Sequence, residues 1–297
     1  FVVPLVGGIV VAAAGVKLVQ NVGERSNATL DILSVVLLAA GITAFVYSVG
    51  EFSTNLIAGI VTLFAAVVLL GLFAARQLKL EHPVLNVRPM ASVRFWPACL
   101  LVVVSMMTTF SMSVLLPLYF EGAYGMTALV AGLLILPAIA CNAVTSIVGG
   151  RVMDARGAWP LLPVGFALIA VGQTAISMTA ASMNIGVVVA LTVVVYAGVG
   201  LVLSPSQTAG LETLPAAEHP HGTALLNTWN MIAASFGPSL FIGLLSSSAA
   251  TAGAAGAATD VAQAIGFAAA VRVAAVIAVV GFVASLVYAR RESHMSH

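Results

Sequence analysis

Long apolar stretches alternate with short polar ones along the whole chain. Apolar windows of about 17 to 25 residues, each long enough to cross a hydrocarbon core of about 30 Å as a helix, recur from one end to the other. They predict nine membrane spans at roughly 1–19, 32–49, 56–75, 96–120, 128–148, 161–178, 185–209, 223–245 and 262–289. Because lipid cannot satisfy backbone polar groups, the expected fold class is an all-α integral membrane protein.

The composition excludes several other classes of protein. The chain has 297 residues, of which 61% are hydrophobic and 7% are charged, whereas a soluble domain carries about 25% charged residues. A net charge of +1 indicates no nucleic acid partner. Both cysteines, Cys99 and Cys141, fall within apolar spans, which favours a packing role. No G-x-x-x-x-G-K-[ST] loop occurs, so the chain has no ATPase of its own.

The positive charges predict an orientation. If every span crosses the membrane, all lysines and arginines except Arg272 lie on one face: Lys17, Arg25, Arg76, Lys79, Arg88, Arg94, Arg151, Arg156, Arg290 and Arg291. The opposite connections at 50–55, 121–127, 179–184 and 246–261 contain none. The positive-inside rule then predicts a multi-pass protein of the cell (cytoplasmic) membrane whose basic connections and C-terminus are cytoplasmic.

Three further segments shape the expected organisation. Residues 76–95 are basic and contain Pro83 and Pro89, so we expect the longest cytoplasmic connection and a subdomain boundary there. Residues 246–259, SSSAATAGAAGAAT, consist of small residues and predict a flexible outer loop. The chain opens on Phe1 without a basic leader or cleavage site, and we expect it to start partway through a longer protein.

One connection carries a distinctive spacing of glycine and charge. In GGRVMDARGAWP at 149–160, Gly150, Arg151, Asp154, Arg156 and Gly157 stand between the fifth and sixth spans. Gly150 would allow two helices to approach closely, Asp154 can accept hydrogen bonds from a helix N-terminus or an arginine, and Gly157 permits a sharp turn. The segment is either a latch between two halves of a protein or a generic polar turn.

GGRVMDARGAWPL resembles the G-x-x-x-D-x-x-G motif of the major facilitator superfamily. The segments at 117–139 and 198–228 are similar to the second half of the 14-helix drug:proton antiporters in that superfamily, and VVPLVGGIVVAAAGVKLV resembles their sixth helix. The resemblance covers essentially the whole chain. It implies that residues 1–19 are the last helix of the N-terminal bundle, residues 20–95 two linker helices plus a basic cytoplasmic loop, and residues 96–297 the C-terminal six-helix bundle.

The chain also departs from the family pattern. Ala155, Ala158 and Trp159 replace usual basic residues of the motif, and Arg156 is shifted by one, so a latch here would be weaker or differently partnered. The resemblance implies a partial major facilitator fold of about nine helices that lacks most of the N-terminal half. Those missing helices of the same protein carry much of the family's proton-coupling machinery and are therefore an expected partner.

Polar and flexible side chains within the spans are candidates for a substrate cavity, because polar groups in a membrane usually face the bundle interior. Methionine suits varied apolar ligands, and amides or an indole would add hydrogen bonds or a stacking surface. The alternative is that these groups only join neighbouring helices. The candidates are Met106, Thr109, Met112, Asn142, Gln173, Gln207, Asn227, Trp229 and Asn230.

Ionisable residues are sparse at mid-depth. No acidic residue or histidine is expected there, so a coupling carboxylate would belong to the missing half; Glu121 is the best local candidate, although the end of a helix is its other interpretation. Arg272 either snorkels to the outer interface or faces inward towards an acid. We expect no catalytic residue, metal site or cofactor, and a proton gradient as the energy source.

The favoured function is a secondary active transporter that exports drugs or other small amphipathic molecules, apolar or cationic, by alternating access across the lipid bilayer. A non-transporting remnant or partner subunit is the alternative. A membrane-embedded lipid-modifying enzyme is a weaker one, because Asp154 and the pair His219 and His221 lie in different loops and do not form a catalytic cluster.

Overall fold

The computed structural model describes Gly8 and residues 31–51, 55–80, 83–93, 95–158 and 160–293. Eight long helices occupy these ranges: α1 (Ile32–Glu51), α2 (Leu56–Lys79), α3 (Phe95–Tyr124), α4 (Ala128–Arg156), α5 (Leu161–Thr179), α6 (Ile185–Glu212), α7 (His219–Ala254) and α8 (Thr259–Ser293). Short 3-10 helices lie at Arg88–Ala91, Ala180–Ser182 and Ala216–Glu218.

All eight helices are long and apolar enough to span a membrane. They correspond to the second to ninth predicted spans, and the all-helical class is confirmed. Apart from Gly8, the predicted span at 1–19 lies outside the described residues. Asn55 and Asn184 cap α2 and α6, since each side chain accepts a hydrogen bond from a backbone N–H three residues later.

The predicted flexible loop at 246–259 is wrong, because α7 continues to Ala254. Alanine has the highest helix propensity, and the serine and threonine hydroxyls of this stretch bond back to the preceding turn, as Thr251 does to the Ser247 carbonyl oxygen at 2.9 Å. The helix stops where Gly256 adopts a φ of 93°. Small residues here extend a helix rather than form a loop.

Helices α3 to α8 pack into one bundle. α6 lies against α3, α4 and α5, while α8 lies against α3, α5 and α7. Their shared core contains fully buried aromatic side chains, among them Tyr119, Phe166, Phe241 and Phe267. α4 is different, because it packs mainly on α6 and leaves much of its apolar surface exposed.

Glycines of α6 lie at very close helix contacts in the bundle. A Cβ at Gly198 would lie 2.6 Å from the Gly165 carbonyl oxygen of α5. A Cβ at Gly200 would lie 2.7 Å from the Asn142 carbonyl oxygen of α4 and would collide with the Thr145 hydroxyl. Only glycine permits this spacing of α6 against α4 and α5.

Helices α1 and α2 form a pair that is joined to the bundle by a second apolar cluster. Phe73 of α2, Leu85 of the following segment, and Phe95 and Cys99 of α3 belong to this cluster, together with residues at the end of α6 and the start of α7. α1 itself contacts α7. The segment between α2 and α3 is therefore packed against the bundle.

The buried amide of Gln77 connects α1, α2 and this segment. Its Nε2 donates to the Ser34 hydroxyl at 2.6 Å, and its Oε1 accepts from the Leu85 backbone N–H at 3.1 Å. Gln77 is only 2% exposed, so both hydrogen bonds are shielded from solvent and fix the chain's path out of α2.

The described charges lie towards the two ends of the bundle. We call the end that carries Arg76, Lys79, Arg88, Arg151 and Arg156 the basic end. The other end, which carries Glu51, Glu121 and Asp260, is called the acidic end.

Candidate substrate-binding region

The predicted cavity residues lie on five different helices. On α3, Met112 is fully buried in the bundle core, Met106 packs against that core, and the Thr109 hydroxyl donates to the Ser105 carbonyl oxygen at 2.8 Å. The Thr109 hydroxyl is therefore engaged within its own helix. None of these three contributes to the cavities described below.

Two of the predicted amides connect helices. Asn142 Nδ2 of α4 donates to the Tyr196 carbonyl oxygen of α6 at 3.0 Å. Gln173 Nε2 of α5 donates to the Ser111 hydroxyl of α3 at 3.2 Å, and the Gln173 side chain is completely buried. Both contacts match the alternative role of joining neighbouring helices.

Trp229 belongs to a different group at the basic end. Its indole N–H donates to the Met90 thioether at 3.4 Å, and the Cys99 thiol contacts the same sulfur at 3.9 Å. Met90 lies in the 3-10 helix between α2 and α3. The segment before α3 is thus held over α7 by a polarisable sulfur contact.

A small cavity of about 110 Å³ opens beside Trp229. It is lined by Trp96, Cys99, Leu100 and Val103 of α3 together with Trp229 of α7. Trp96 and Leu100 also line a wider cleft of about 490 Å³ that reaches Met90 on one side and Ala284 and Val287 of α8 on the other. The two tryptophans supply flat apolar surfaces with a polar edge, which suits an amphipathic ligand.

Four buried side-chain atoms have no hydrogen-bond partner in the described part of the chain. They are Thr108 Oγ1, Gln173 Oε1, Ser206 Oγ and Asn230 Oδ1. A buried oxygen without a partner costs free energy of folding, about 1–3 kcal/mol. The packing of the described helices supplies no partner for these four atoms, so a role other than packing must account for them.

Ser206 and Asn230 lie at one depth in the bundle. A Cβ at Gly210 of α6 would be 3.0 Å from the Ala98 Cβ, and a Cβ at Gly222 of α7 would be 3.7 Å from the Phe95 ring. Ser206 lies four residues before Gly210 in α6, and Asn230 lies eight residues after Gly222 in α7. At 1.5 Å per residue both reach the level of Val102 and Val103 on α3.

Val103 at this shared level lines the small cavity, whereas Ser206 and Asn230 are not among its lining residues. Gln207 follows Ser206 and is half-buried, whereas Asn227 is exposed on α7. Asn230, Trp229 and Gln207 were predicted from sequence, but Ser206 and Trp96 were not. Serine is common at helix contacts and tryptophan at membrane interfaces, so neither carried a specific signal.

A third cleft, of about 560 Å³, lies between α1 and α7. Val49 of α1 and Phe236, Ser239, Leu240, Gly243, Leu244 and Ser247 of α7 line it. It contains none of the predicted cavity residues. The sequence predicts that α1 belongs to a separate linker, and it therefore gives no indication of a cleft between α1 and α7.

The glycine and charge motif lies on a helix rather than in a loop. Gly150, Arg151, Asp154 and Arg156 form the last turns of α4, and only Gly157 leaves the helix, with a φ of 75°. The predicted turn at Gly157 is confirmed. The predicted close approach at Gly150 is wrong among the described residues, since none of their atoms lies within 4 Å of a Cβ placed there. Gly149 makes the contact instead, because a Cβ at Gly149 would lie 3.3 Å from the Gly200 carbonyl oxygen.

Three charged side chains of the motif are exposed at the basic end: Arg151, Asp154 and Arg156. The two adjacent glycines explain how this end of α4 is rotated. Gly149 must face α6, and the next residue, Gly150, therefore points outward. The motif presents its charges away from the described bundle. Trp159 lies outside the described residues.

Arg272 and Glu121 are both exposed. Arg272 lies on a stripe of exposed apolar side chains along α8 that includes Ile265, Val276, Val283 and Val287. Arg272 does not face the interior of the described bundle, because α8 turns its other faces to α3, α5 and α7. Glu121 lies in the last turn of α3, whose end is marked by Gly125 at a φ of 63°.

The described side chains do not form a metal centre, since no three His, Cys, Asp or Glu residues among them group closely enough to hold an ion. His219 lies at the start of α7, where its Nε2 is 3.1 Å from the Leu214 carbonyl oxygen. This contact closes the turn between α6 and α7.

Comparison with known proteins identifies the relatives of this sequence. The profile of the Major Facilitator Superfamily matches residues 29–238. The lincomycin resistance protein LmrB of Listeria monocytogenes is 31% identical over 241 residues, which cover 80% of this chain and 51% of that protein. The LmrB of Bacillus subtilis is 30% identical over 239 residues, 78% of this chain and 49% of that protein.

Further relatives carry other names. The uncharacterised MFS-type transporter YcnB of Bacillus subtilis is 33% identical over 273 residues, 90% of this chain and 57% of that protein. The chain spans about half the length of the curated relatives that it matches.

Proposed function

The chain belongs to the Major Facilitator Superfamily, and we propose that it is part of a secondary active transporter that exports drugs or other small amphipathic molecules. The observation that carries the proposal is the similarity to lincomycin resistance proteins along about four fifths of the chain. Eight described helices that could each cross a membrane support it.

The proposed orientation places the basic end in the cytoplasm, as the positive-inside rule requires. On this basis the cavity between Trp96 and Trp229 is near the cytoplasmic leaflet, from which an amphipathic molecule would be taken up for export. The two indoles line the cavity and would bind its apolar part. The buried oxygens of Ser206 and Asn230, which have no partner among the described residues, lie outside that lining and would accept hydrogen bonds from its polar part as the helices rearrange during transport.

Transport would proceed by alternating access, in which the described bundle rocks against the N-terminal helices that the resemblance to 14-helix antiporters implies. The exposed Arg151, Asp154 and Arg156 at the end of α4 are suited to a charged contact with such a partner. Proton coupling would then use a carboxylate of those helices, since the described acidic side chains lie at the ends of the bundle.

The principal test is drug efflux from cells that express the longer reading frame containing this chain, compared with cells that express residues 1–297 alone. We expect resistance to and efflux of lincomycin, or of a lipophilic cation such as ethidium, from the longer frame. No efflux of any probe from a well-expressed longer frame would instead favour a non-transporting protein or a partner subunit.

Proton coupling is tested separately with an uncoupler. Efflux that depends on the proton gradient should cease when the gradient collapses, while ATP is kept constant by a fermentable carbon source. Efflux that continues unchanged would overturn proton coupling and leave the export function standing.

A further inference from the structure

Arg272 is a permanently charged side chain on an apolar surface. Its neighbours along the exposed stripe of α8 are Ile265, Val276, Val279 and Val283, of which Val276 is 61% exposed. A stripe of this composition, on a helix long enough to cross a membrane, faces acyl chains. An arginine guanidinium remains charged in proteins.

The depth of Arg272 follows from the contacts at the acidic end. Phe267 of α8 stacks on Tyr119 of α3 with ring centroids 4.1 Å apart. The Tyr119 hydroxyl donates to the Ala180 carbonyl oxygen at 2.9 Å, just beyond the end of α5. Arg272 is five residues further along α8 than Phe267, hence about 7 Å deeper than this level.

The spacing to the other end of α8 agrees with this depth. Arg272 and Arg290 are eighteen residues apart, which is about 27 Å along a helix. This distance is close to the thickness of a hydrocarbon core, about 30 Å. The two arginines therefore bracket the apolar part of α8, one near each interface.

The direction of α8 favours an Arg272 side chain that extends towards the membrane interface at the acidic end. Side chains on an α-helix tilt towards its N-terminus. The N-terminus of α8 is at the acidic end, since Gln263 lies against Gly122 near the end of α3. The guanidinium of Arg272 can thus extend to the headgroup region while its stem stays among apolar side chains.

We propose that Arg272 binds the phosphate of a phospholipid headgroup in the leaflet at the acidic end. The described residues give Arg272 no ion pair or hydrogen bond, and an unpaired charge near a hydrocarbon core is unfavourable. A guanidinium pairs with phosphate through two parallel hydrogen bonds. The lipid acyl chains would lie along the valine stripe below it.

The test uses the purified chain in a mild detergent, titrated with dioleoyl phosphatidylglycerol while bound lipid is counted by native mass spectrometry. We expect Arg272→Gln to weaken phosphatidylglycerol binding roughly tenfold, the effect of losing one charge-assisted hydrogen-bonded pair. Arg272→Lys, which keeps the charge but not the fork, should weaken it less. Arg88→Gln removes an exposed cation at the basic end and serves as the matched control that retains this binding event.

Two further arms identify the ligand. Dioleoylglycerol, which has the same acyl chains without phosphate, should not bind in a way that depends on Arg272. Inorganic phosphate at the same concentration should not displace the lipid. Equal phosphatidylglycerol binding by wild type and Arg272→Gln, or displacement by inorganic phosphate alone, would overturn the proposal. The result does not depend on the proposed export function, because no transport is measured.

Discussion

Asn230 and Asn142 are the same residue type in opposite situations. The Asn230 side-chain oxygen is buried without a partner, whereas the Asn142 amide bonds the Tyr196 carbonyl oxygen across two helices. Replacing a buried polar group that has no partner by an apolar group of similar size does not lose a hydrogen bond. Replacing a buried polar group that has a partner does lose a hydrogen bond.

We therefore predict that Asn230→Leu leaves the melting temperature in detergent unchanged or raises it, yet lowers drug efflux from the longer reading frame. Asn142→Leu should destabilise the bundle by about 1 kcal/mol. Thermal unfolding and efflux are measured on both variants. A destabilised Asn230→Leu with normal efflux would show that Asn230 is structural, and the proposed ligand contact would be wrong.

A second prediction about a single residue concerns Gly200, where α4 and α6 are in contact. A Cβ at Gly200 would meet the Asn142 carbonyl oxygen and the Thr145 hydroxyl, and the carbonyl is backbone that cannot rotate away. Gly200→Ala should lower the free energy of unfolding by about 1–3 kcal/mol, the range for overpacking.

Gly132→Ala is the matched control for this change. Gly132 lies in α4, and open space surrounds the position that an alanine methyl group would take. Alanine there should be neutral or stabilise the helix by up to about 1 kcal/mol. Equal melting temperatures for the two alanine variants would contradict the close contact of α4 with α6.

The role of a single residue was predictable from sequence where the backbone conformation requires a particular residue type. Gly157 was predicted correctly because a turn with positive φ leaves few alternatives to glycine. Gly150 was assigned a contact that belongs to Gly149, because a motif does not reveal the rotation of its helix. Ser206 was missed, since an unpaired hydroxyl is a property of its surroundings and not of its own residue type.

At the scale of elements, Gln77 decides how the α1 and α2 pair is attached. Its amide bonds Ser34 of α1 and the backbone N–H of Leu85. We predict that Gln77→Leu accelerates amide hydrogen exchange at Leu85 by roughly five- to twelvefold, because losing this hydrogen bond removes about 1–1.5 kcal/mol of protection.

Gln263→Leu provides the comparison for this element. Gln263 is half-buried on α8, far along the chain from the α2 to α3 segment. Its replacement should leave exchange at Leu85 as in the wild type. Unchanged exchange at Leu85 in Gln77→Leu would show that the segment is held by its apolar contacts with α3 alone.

Helix identity was predictable from hydropathy, whereas helix ends were not. The eight described spans were all anticipated, because each contains a long apolar window. α4 and α7 extend well beyond those windows, to Arg156 and Ala254, through stretches of polar or small residues. Alanine and arginine in these stretches favour the helix, while the glycines do not. Hydropathy detects the part of a helix that lies in lipid, and it does not detect the continuation beyond it.

At the scale of the whole molecule, the arrangement of charge predicts which end faces the cytoplasm. In a background with Cys99→Ala and Cys141→Ala, a single cysteine is introduced as Ser182→Cys at the acidic end or Val84→Cys at the basic end. Ser182 and Val84 are exposed, and each lies in a connection between long helices. The reagent is a maleimide that cannot cross membranes, applied to intact cells and then to permeabilised cells.

We expect Ser182→Cys to react in intact cells and Val84→Cys to react only after permeabilisation. The physical reason is that cations resist transfer across the membrane during insertion. The basic side chains of the described residues other than Arg272 lie at the end that contains Val84. The opposite labelling pattern would invert the proposed leaflet of the tryptophan-lined cavity, so that its substrate would be taken from the outer leaflet. The depth of Arg272 would be unaffected, because it follows from the spacing along α8 and from the Tyr119 and Phe267 stack, which are properties of the fold in either orientation.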